Sequence, residues 1–212
     1  MTSRTILYLR ITLAVITLVL SYRIYRIIME PIEFESIKEK RYEKITNRLE
    51  QLREAQLIFK TQYNQYSNNF DDLISFLQNA QVSIIERKDS SFMKYDRVYQ
   101  TDMLKDTIIY RIIGQKSARD KLISINPELF DDDFIVSEMR FIPFAKDSIE
   151  FEIATGHVDR NGVRVQVFEI KASNKDFFHD IFNDYRSLIL GLRIDALIVG
   201  SLTEPTLSGN WK

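Results

Sequence analysis

The chain opens with an apolar run, residues 6–20, which passes into a long charged and amphipathic pattern. This run is shorter than the ~20 residues that a helix needs to cross a hydrocarbon core of ~30 Å. Extension to Met29 supplies the missing length. In the longer helix Arg10 lies near one end, where its side chain reaches the interface, and Tyr22 and Arg26 match the aromatic and cationic belt at the other interface. The pattern therefore predicts a membrane-spanning helix.

A cleaved signal peptide is the alternative interpretation of this segment, with Arg4 as its charged start. No small-x-small cleavage site follows Leu20, however. We therefore expect an uncleaved, single-pass anchor over residues 1–29. Because proline lacks a backbone donor and crowds the preceding turn, we also expect the helix to bend or restart at Pro31.

The charges around the anchor favour opposite orientations. Cations just after the span outnumber those before it, which under the positive-inside rule places the remaining chain in the cytoplasm. Against this, Glu30, Glu33 and Glu35 dilute the positive charge. A short amino-terminal tail before a first span is also the usual form of an exported signal anchor. We expect the globular part on the exported side.

Beyond Pro31 the apolar residues recur every three or four positions, which is typical of one face of an α-helix. The members of this face are Ile45, Leu49, Leu52, Ala55, Phe59, Tyr63 and Tyr66. Two stripes of opposite charge flank it. The acidic stripe contains Glu35, Glu39, Glu43, Glu50 and Glu54, and the basic stripe contains Lys40, Lys44 and Arg48. Residues 30–79 are thus predicted to form an amphipathic helical stalk with a short second helix, whose start is indicated by the turn and N-cap residues at 68–72.

Two interpretations of the stalk remain open. In one, its apolar face packs on the chain's own domain and its charged flanks are solvated. In the other, the face is the seam of a parallel coiled-coil dimer that sets acid against base across the two helices. The candidate interaction residues are then Glu39, Glu43, Lys40, Lys44, Arg48, Leu49 and Leu52.

From residue 80 onwards the pattern changes to short runs of period two, rich in β-branched and aromatic residues. The predicted strands are residues 82–85, 141–144, 149–153, 163–170 and 192–202. An Asn-Gly pair at 161–162 predicts a hairpin turn. Residues 102–122 fit either a strand or a buried helix, and residues 176–190 indicate a helix that ends at Gly191. The predicted fold is α+β: the anchor helix and stalk, then a small antiparallel-sheet domain over residues 80–212.

The amino-acid composition argues against several classes of function. The 212 residues are 45% hydrophobic with a net charge of -1, which suits one globular domain plus an anchor and gives no basic excess for nucleic acid. The absence of cysteine excludes disulfides, thiolate nucleophiles and Cys-based metal sites. His157 and His179 have no further ligand at metal-binding spacing, and Asp132 and its two aspartate neighbours lack the pattern of a calcium loop. We expect no catalytic residue, metal or cofactor.

Short segments along nearly the whole chain carry a family resemblance. Ile-Ile-Met-Glu-Pro-Ile-Glu-Phe at 27–34, Arg-Phe-Ile-Pro-Phe at 140–144 and Gly-Asn-Trp at 209–211 resemble a family of uncharacterised single-span membrane proteins of Gram-negative bacteria. The resemblance implies a bacterial membrane and no known activity. We expect the inner membrane, and the exported side expected from the charges and the amino-terminal tail is then the periplasm. The order of anchor, amphipathic helix and sheet is more loosely similar to pilin-like and pseudopilin proteins, although no Gly-Phe-Thr-Leu-type peptidase site precedes the apolar run.

These observations lead to two functional expectations. The first is a non-enzymatic, membrane-anchored envelope protein that self-associates or docks within a membrane complex, with a homodimer or an envelope complex as partner and no nucleic acid. The alternative is an anchored binding module for a small ligand or an envelope polymer. An exposed apolar patch would favour docking, whereas a cleft with converging polar groups would favour ligand binding.

Overall fold

The computed structural model describes residues 3–130, 134–160 and 162–211, and the side chains of residues 3–7 and 9 are not described. The helices are α1 (Ser3–Tyr63), α2 (Phe70–Asn79), α3 (Ala118–Ile125), α4 (Asn174–Phe177) and α5 (Arg186–Leu190). The strands are β1 (Gln81–Asp96), β2 (Thr101–Ser117), β3 (Glu152–Arg160), β4 (Val163–Ser173) and β5 (Ala196–Gly200). The predicted α+β class is confirmed.

Helix α1 runs unbroken for 61 residues, about 90 Å at 1.5 Å per residue. It continues through Pro31, so the predicted restart of the helix at this residue is wrong. A proline removes a single backbone hydrogen bond, and the regular pairing on both sides keeps the helix intact. In the described part of the chain α1 is the one helix that is long and apolar enough to cross a membrane.

The second half of α1 lies inside the globular domain. One hydrophobic core joins its side chains to α2, α3, the sheet and the aromatic residues at 177 and 178. Leu49 and Leu52 are 0% exposed, so they face the chain's own domain and offer no seam to a second helix. The coiled-coil interpretation is therefore wrong for these two residues. Residues on both sides of the predicted domain boundary at residue 80 belong to the same hydrophobic core. The boundary therefore does not divide two independently packed units.

Strands β3, β4 and β5 form an antiparallel sheet in that order. The predicted hairpin is confirmed: β3 ends at Arg160, β4 begins at Val163, and Gly162 has a φ of 77°. The predicted strand at 141–144 is wrong, because Phe141 makes only an isolated bridge to Glu150. Phe144 has a φ of 66°, a conformation that ends an extended strand.

The predicted helix at 176–190 is also wrong over most of its length. The chain forms α4 and α5 with turns between them. Phe177 and Phe178 are both 0% exposed. The helical hydrogen bonding stops after them, since the Phe177 carbonyl accepts from Arg41 and the Ile181 N–H donates to the Phe178 carbonyl. Gly191 ends α5 as predicted.

Candidate docking surface: the projecting ribbon

Strands β1 and β2 form a separate two-stranded antiparallel sheet, paired from Gln81 opposite Ser117 to Asp96 opposite Thr101. We call residues 81–117 the ribbon. The 16 residues of β1 give it a length of about 50 Å at ~3.3 Å per residue. At its tip the Asp96 carboxylate accepts a hydrogen bond from the backbone N–H of Val98 at 2.8 Å, which closes the turn.

The base of the ribbon joins the domain, and the remainder projects from it. Val82 is buried in the core, and the Ala118 N–H donates to the Ala80 carbonyl at 2.9 Å across the base. The pairing register shifts between Ile84 and Ile85, which marks a β-bulge. No side chain from residue 83 to residue 117 is buried.

The register beyond the bulge defines two faces, because successive side chains of a strand point to opposite sides of a sheet. The basic face carries Lys88, Lys94, Lys105, Arg111, Glu86 and Asp96, and the acidic face carries Asp89, Asp102, Asp106 and Arg87. Four cations meet two carboxylates on the basic face, and three carboxylates meet one cation on the acidic face. The two faces therefore have opposite net charges.

Large apolar side chains lie in solvent on both faces. The acidic face presents Ile85, Met93, Tyr95, Leu104, Ile108, Tyr110 and Ile112, and the basic face presents Phe92, Met103 and Ile109. Met93 and Leu104, directly opposite each other, are 63% and 66% exposed. A lone two-stranded hairpin is marginally stable in water, and contiguous exposed apolar patches mark interaction sites. The ribbon is therefore the candidate docking surface.

Sequence reasoning identified only fragments of the ribbon. It predicted a strand at 82–85 and left 102–122 open between strand and helix, where the structure has β2 followed by α3. The available signal was the turn at residues 96–100 between two segments of similar length, the second of which carries four isoleucines. Polar residues interrupt the period-two pattern on both faces, which concealed the strands.

The structure separates the predicted stalk interaction residues into two groups. Glu39, Lys40, Glu43 and Lys44 are exposed and Arg48 is half-buried, whereas Leu49 and Leu52 are in the core. Lys40, Glu43 and Lys44 line a cleft of about 510 Å³ with Phe144 of the same chain. The Lys44 ammonium lies 5.7 Å from the centre of the Phe144 ring, so the basic stripe meets the chain's own loop.

The residues that the sequence analysis considered for catalysis or metal binding do not form a cluster in the described part of the chain. His157 is exposed on β3, and the Nδ1 of exposed His179 lies 3.1 Å from the backbone carbonyl of Asp176. Asp132 lies outside the described residues. Within the described ranges no group of three or more His, Cys, Asp or Glu side chains is arranged to hold a metal ion.

Asp71, the first of the two adjacent aspartates at the start of α2, has a structural role. The Asn69 side chain accepts from the Asp71 N–H at 2.7 Å, as predicted for an N-cap. The Asp71 carboxylate itself accepts a hydrogen bond from Arg140 at 2.7 Å. The Arg140 pKa is raised, chiefly by the carboxylate of Glu150, whose oxygen lies 2.7 Å from Arg140 Nε in an ion pair.

A second surface feature is a polar cleft of about 560 Å³ between the end of α1 and the β3–β4 hairpin. Its lining residues are Lys60, Asn64, Gln65, His157, Arg164, Val165 and Gln166. The Gln166 side chain is fixed, since its Oε1 accepts from the Tyr66 N–H at 2.8 Å. Cationic and amide groups converge on this cleft.

No protein-family model, curated protein or solved structure matches this chain. The class of the protein therefore follows from its own architecture. It is an α+β protein with one amino-terminal helix long and apolar enough to cross a membrane.

Proposed function

We propose that this protein is a non-enzymatic, single-pass membrane protein of the bacterial inner membrane whose ribbon docks within an envelope assembly. The ribbon carries the proposal: it projects from the domain and exposes apolar side chains on both faces. Burial of apolar surface stabilises association by roughly 25 cal/mol per Å² before the entropic costs of binding. A ribbon covered on its faces is therefore more stable than one in water.

The anchor supports this proposal. Apolar side chains along residues 11–28 are exposed around the whole helix, as expected for a surface that faces lipid. Tyr22, Tyr25 and Arg26 line a cleft with the loop before α5, so the domain begins directly beside the expected interfacial belt. We propose that the domain is on the periplasmic side.

The position of the ribbon also favours a protein partner over lipid. Asn79 and Ala80, just before β1, line a cleft with Phe59 and Tyr63 near the end of α1. From Met29 to Tyr63 the helix rises about 50 Å, so the ribbon starts far from the anchor. A surface placed there meets other envelope proteins more readily than the bilayer.

Excision of the ribbon beyond the bulge tests the proposal. Replacing residues 86–111 by Asn-Gly joins Ile85 to Ile112 through a two-residue hairpin turn and leaves the core intact. We expect this variant to fold and stay in the membrane but to lose the assembly that the full chain forms, measured as complex size after mild detergent extraction. An unchanged complex size in the excised variant would refute docking through the ribbon.

The polar cleft supports the alternative, an anchored binding module. Lys60, His157 and Arg164 converge there, which suits an anionic group of a small ligand or envelope polymer. The test is equilibrium binding of inorganic phosphate and of an acidic polysaccharide to the full chain and to an Arg164→Gln variant. Equal affinities, or no binding to the full chain, would dismiss this second function.

A further inference from the structure

We infer that the partner of the ribbon is the ribbon of a second copy of this chain, stacked head to tail so that the basic face of one meets the acidic face of the next. This inference rests on the proposed docking function and adds the identity of the partner.

The register places opposite charges back to back. Lys88 and Asp89 are neighbours on β1, and Lys105 and Asp106 are neighbours on β2. Since adjacent residues of a strand point to opposite faces, each lysine lies on the basic face at the level of an aspartate on the acidic face. A copy displaced perpendicular to the sheet therefore brings both lysines against both aspartates of its neighbour.

The apolar side chains follow the same geometry. In such a stack Phe92 and Met103 of the basic face approach Met93 and Leu104 of the next copy's acidic face, because the pair Met93–Leu104 lies between the pairs Phe92–Lys105 and Lys94–Met103. Packed sheets lie about 10 Å apart, which these side chains can fill. Apolar contact supplies the affinity, and the lysine-aspartate pairs select the register.

Symmetry separates this arrangement from a two-fold dimer. A two-fold dimer formed face to face sets one face against itself, which brings together two faces whose net charges have the same sign. It also leaves the other apolar face in water. Head-to-tail stacking covers both faces in every interior copy, and it produces a row or ring of chains.

A row of this kind is compatible with anchoring in one membrane. Copies related by translation or rotation within the membrane plane keep the same polarity, so no copy needs to invert. The base of each ribbon follows α2 at the membrane-distal end of α1. Copies standing side by side therefore present their ribbons at the same height.

Thiol crosslinking in membranes tests the stacking directly, because the chain has no native cysteine. Ser90 and Ser91 are adjacent at the middle of β1, Ser90 on the basic face and Ser91 on the acidic face. A bismaleimide of roughly 10 Å span is needed, since facing residues of packed sheets lie beyond disulfide reach. Glu39→Cys, exposed on α1, is the control for random collisions.

Head-to-tail stacking makes three crosslinking predictions. The double variant Ser90→Cys/Ser91→Cys gives a ladder of dimers, trimers and larger species. The two single variants give dimers only when co-expressed, and neither crosslinks alone. Dimers from one single variant alone would show a two-fold arrangement and overturn the inference. An adduct with a different protein would also overturn it, while leaving docking intact.

Charge reversal provides a second test that controls for folding. Lys88→Glu with Lys105→Glu makes both faces acidic, and Asp89→Lys with Asp106→Lys makes both basic. We expect each pair alone to lower the association constant roughly twofold to thirtyfold, the loss of two exposed ion pairs. Co-expression of the two variants restores the ladder, since their faces are complementary. If the co-expressed variants fail to form the ladder, the stacking is refuted. Loss of assembly in the variant that lacks residues 86–111 tests only whether the ribbon docks, and it does not identify the partner.

Discussion

Arg41 of α1 binds Asp180, in the turns after α4, through two parallel hydrogen bonds of 2.6 and 2.7 Å. One nitrogen of the same guanidinium also donates to the Phe177 carbonyl. The guanidinium carbon lies 5.1 Å from the centre of the Phe144 ring and 5.7 Å from that of Phe178. This single side chain therefore ties the helix that leaves the anchor to two loops of the domain.

Loss of Arg41 is expected to destabilise the domain. Arg41→Met removes three charge-assisted hydrogen bonds and leaves the Phe177 carbonyl without this donor, so we expect a loss of about 2 kcal/mol in the free energy of unfolding. The Asp180 side chain is 47% exposed, and water therefore replaces part of the hydrogen bonding that this carboxylate loses. Urea unfolding in detergent measures the difference. Lys146→Met, at an exposed ion pair, is the matched control and should leave the free energy of unfolding unchanged. An equal loss in this control would contradict the stabilising role of Arg41.

The same pair predicts an acid-dependent loss of stability. The hydrogen bond from Arg41 lowers the pKa of the Asp180 carboxyl below its ordinary value. A carboxyl with a lowered folded pKa contributes stability that is complete above the unfolded pKa, ~4, and is lost as pH falls through the folded pKa. Below about pH 4 the melting temperature should therefore fall more steeply in the native chain than in Asp180→Asn. Parallel pH profiles would contradict this role.

Gly200 is expected to tolerate no side chain. Its φ is 79°, and a Cβ at this position would clash with the Phe168 carbonyl oxygen of the neighbouring strand. We expect Gly200→Ala to cost about 3 kcal/mol or more, since conformational strain adds to the clash. Gly162→Ala has a similar φ of 77° but open space around it, so it should cost only about 1–2 kcal/mol. Thermal unfolding of both variants tests this ranking, and equal losses would show that the clash is relieved.

Because the apolar face of α1 is buried, truncating a side chain there should destabilise the domain more than truncating one in the ribbon. Leu52→Ala leaves a cavity in the core and should cost about 2–5 kcal/mol. Ile85→Ala removes a similar volume from a side chain that is 53% exposed, and we expect little change in the stability of the domain. Chemical denaturation of the monomeric protein in detergent compares them. A harmless Leu52→Ala would return this face of α1 to an intermolecular role.

The anchor is expected to remain uncleaved in the bilayer. The exposed apolar run of α1 and the belt of Tyr22, Tyr25 and Arg26 agree with a spanning helix, and no cleavage site follows Leu20. Carbonate extraction should leave the protein with the membranes, and intact mass should include the first residues. Release by carbonate, or a mass lacking about the first 20 residues, would favour the signal-peptide alternative.

The sequence alone was sufficient for features whose signal is local. A continuous apolar run predicted the long amino-terminal helix, the turn and N-cap residues at 68–72 predicted the start of α2, and the Asn-Gly pair predicted the β3–β4 hairpin. Each of these depends on residues a few positions apart, where side-chain period, capping or turn geometry acts directly on the backbone.

The tertiary structure decided which surfaces are covered. The same apolar face at Leu49 and Leu52 fits a coiled-coil seam or a core helix, and only packing against distant residues selects the core. Likewise, the helical pattern predicted at 176–190 stops after Phe177, whose carbonyl accepts from the distant Arg41. The ribbon remained hidden because its two faces are defined by a cross-strand register. That register joins residues on two strands, and no local period in one strand determines it.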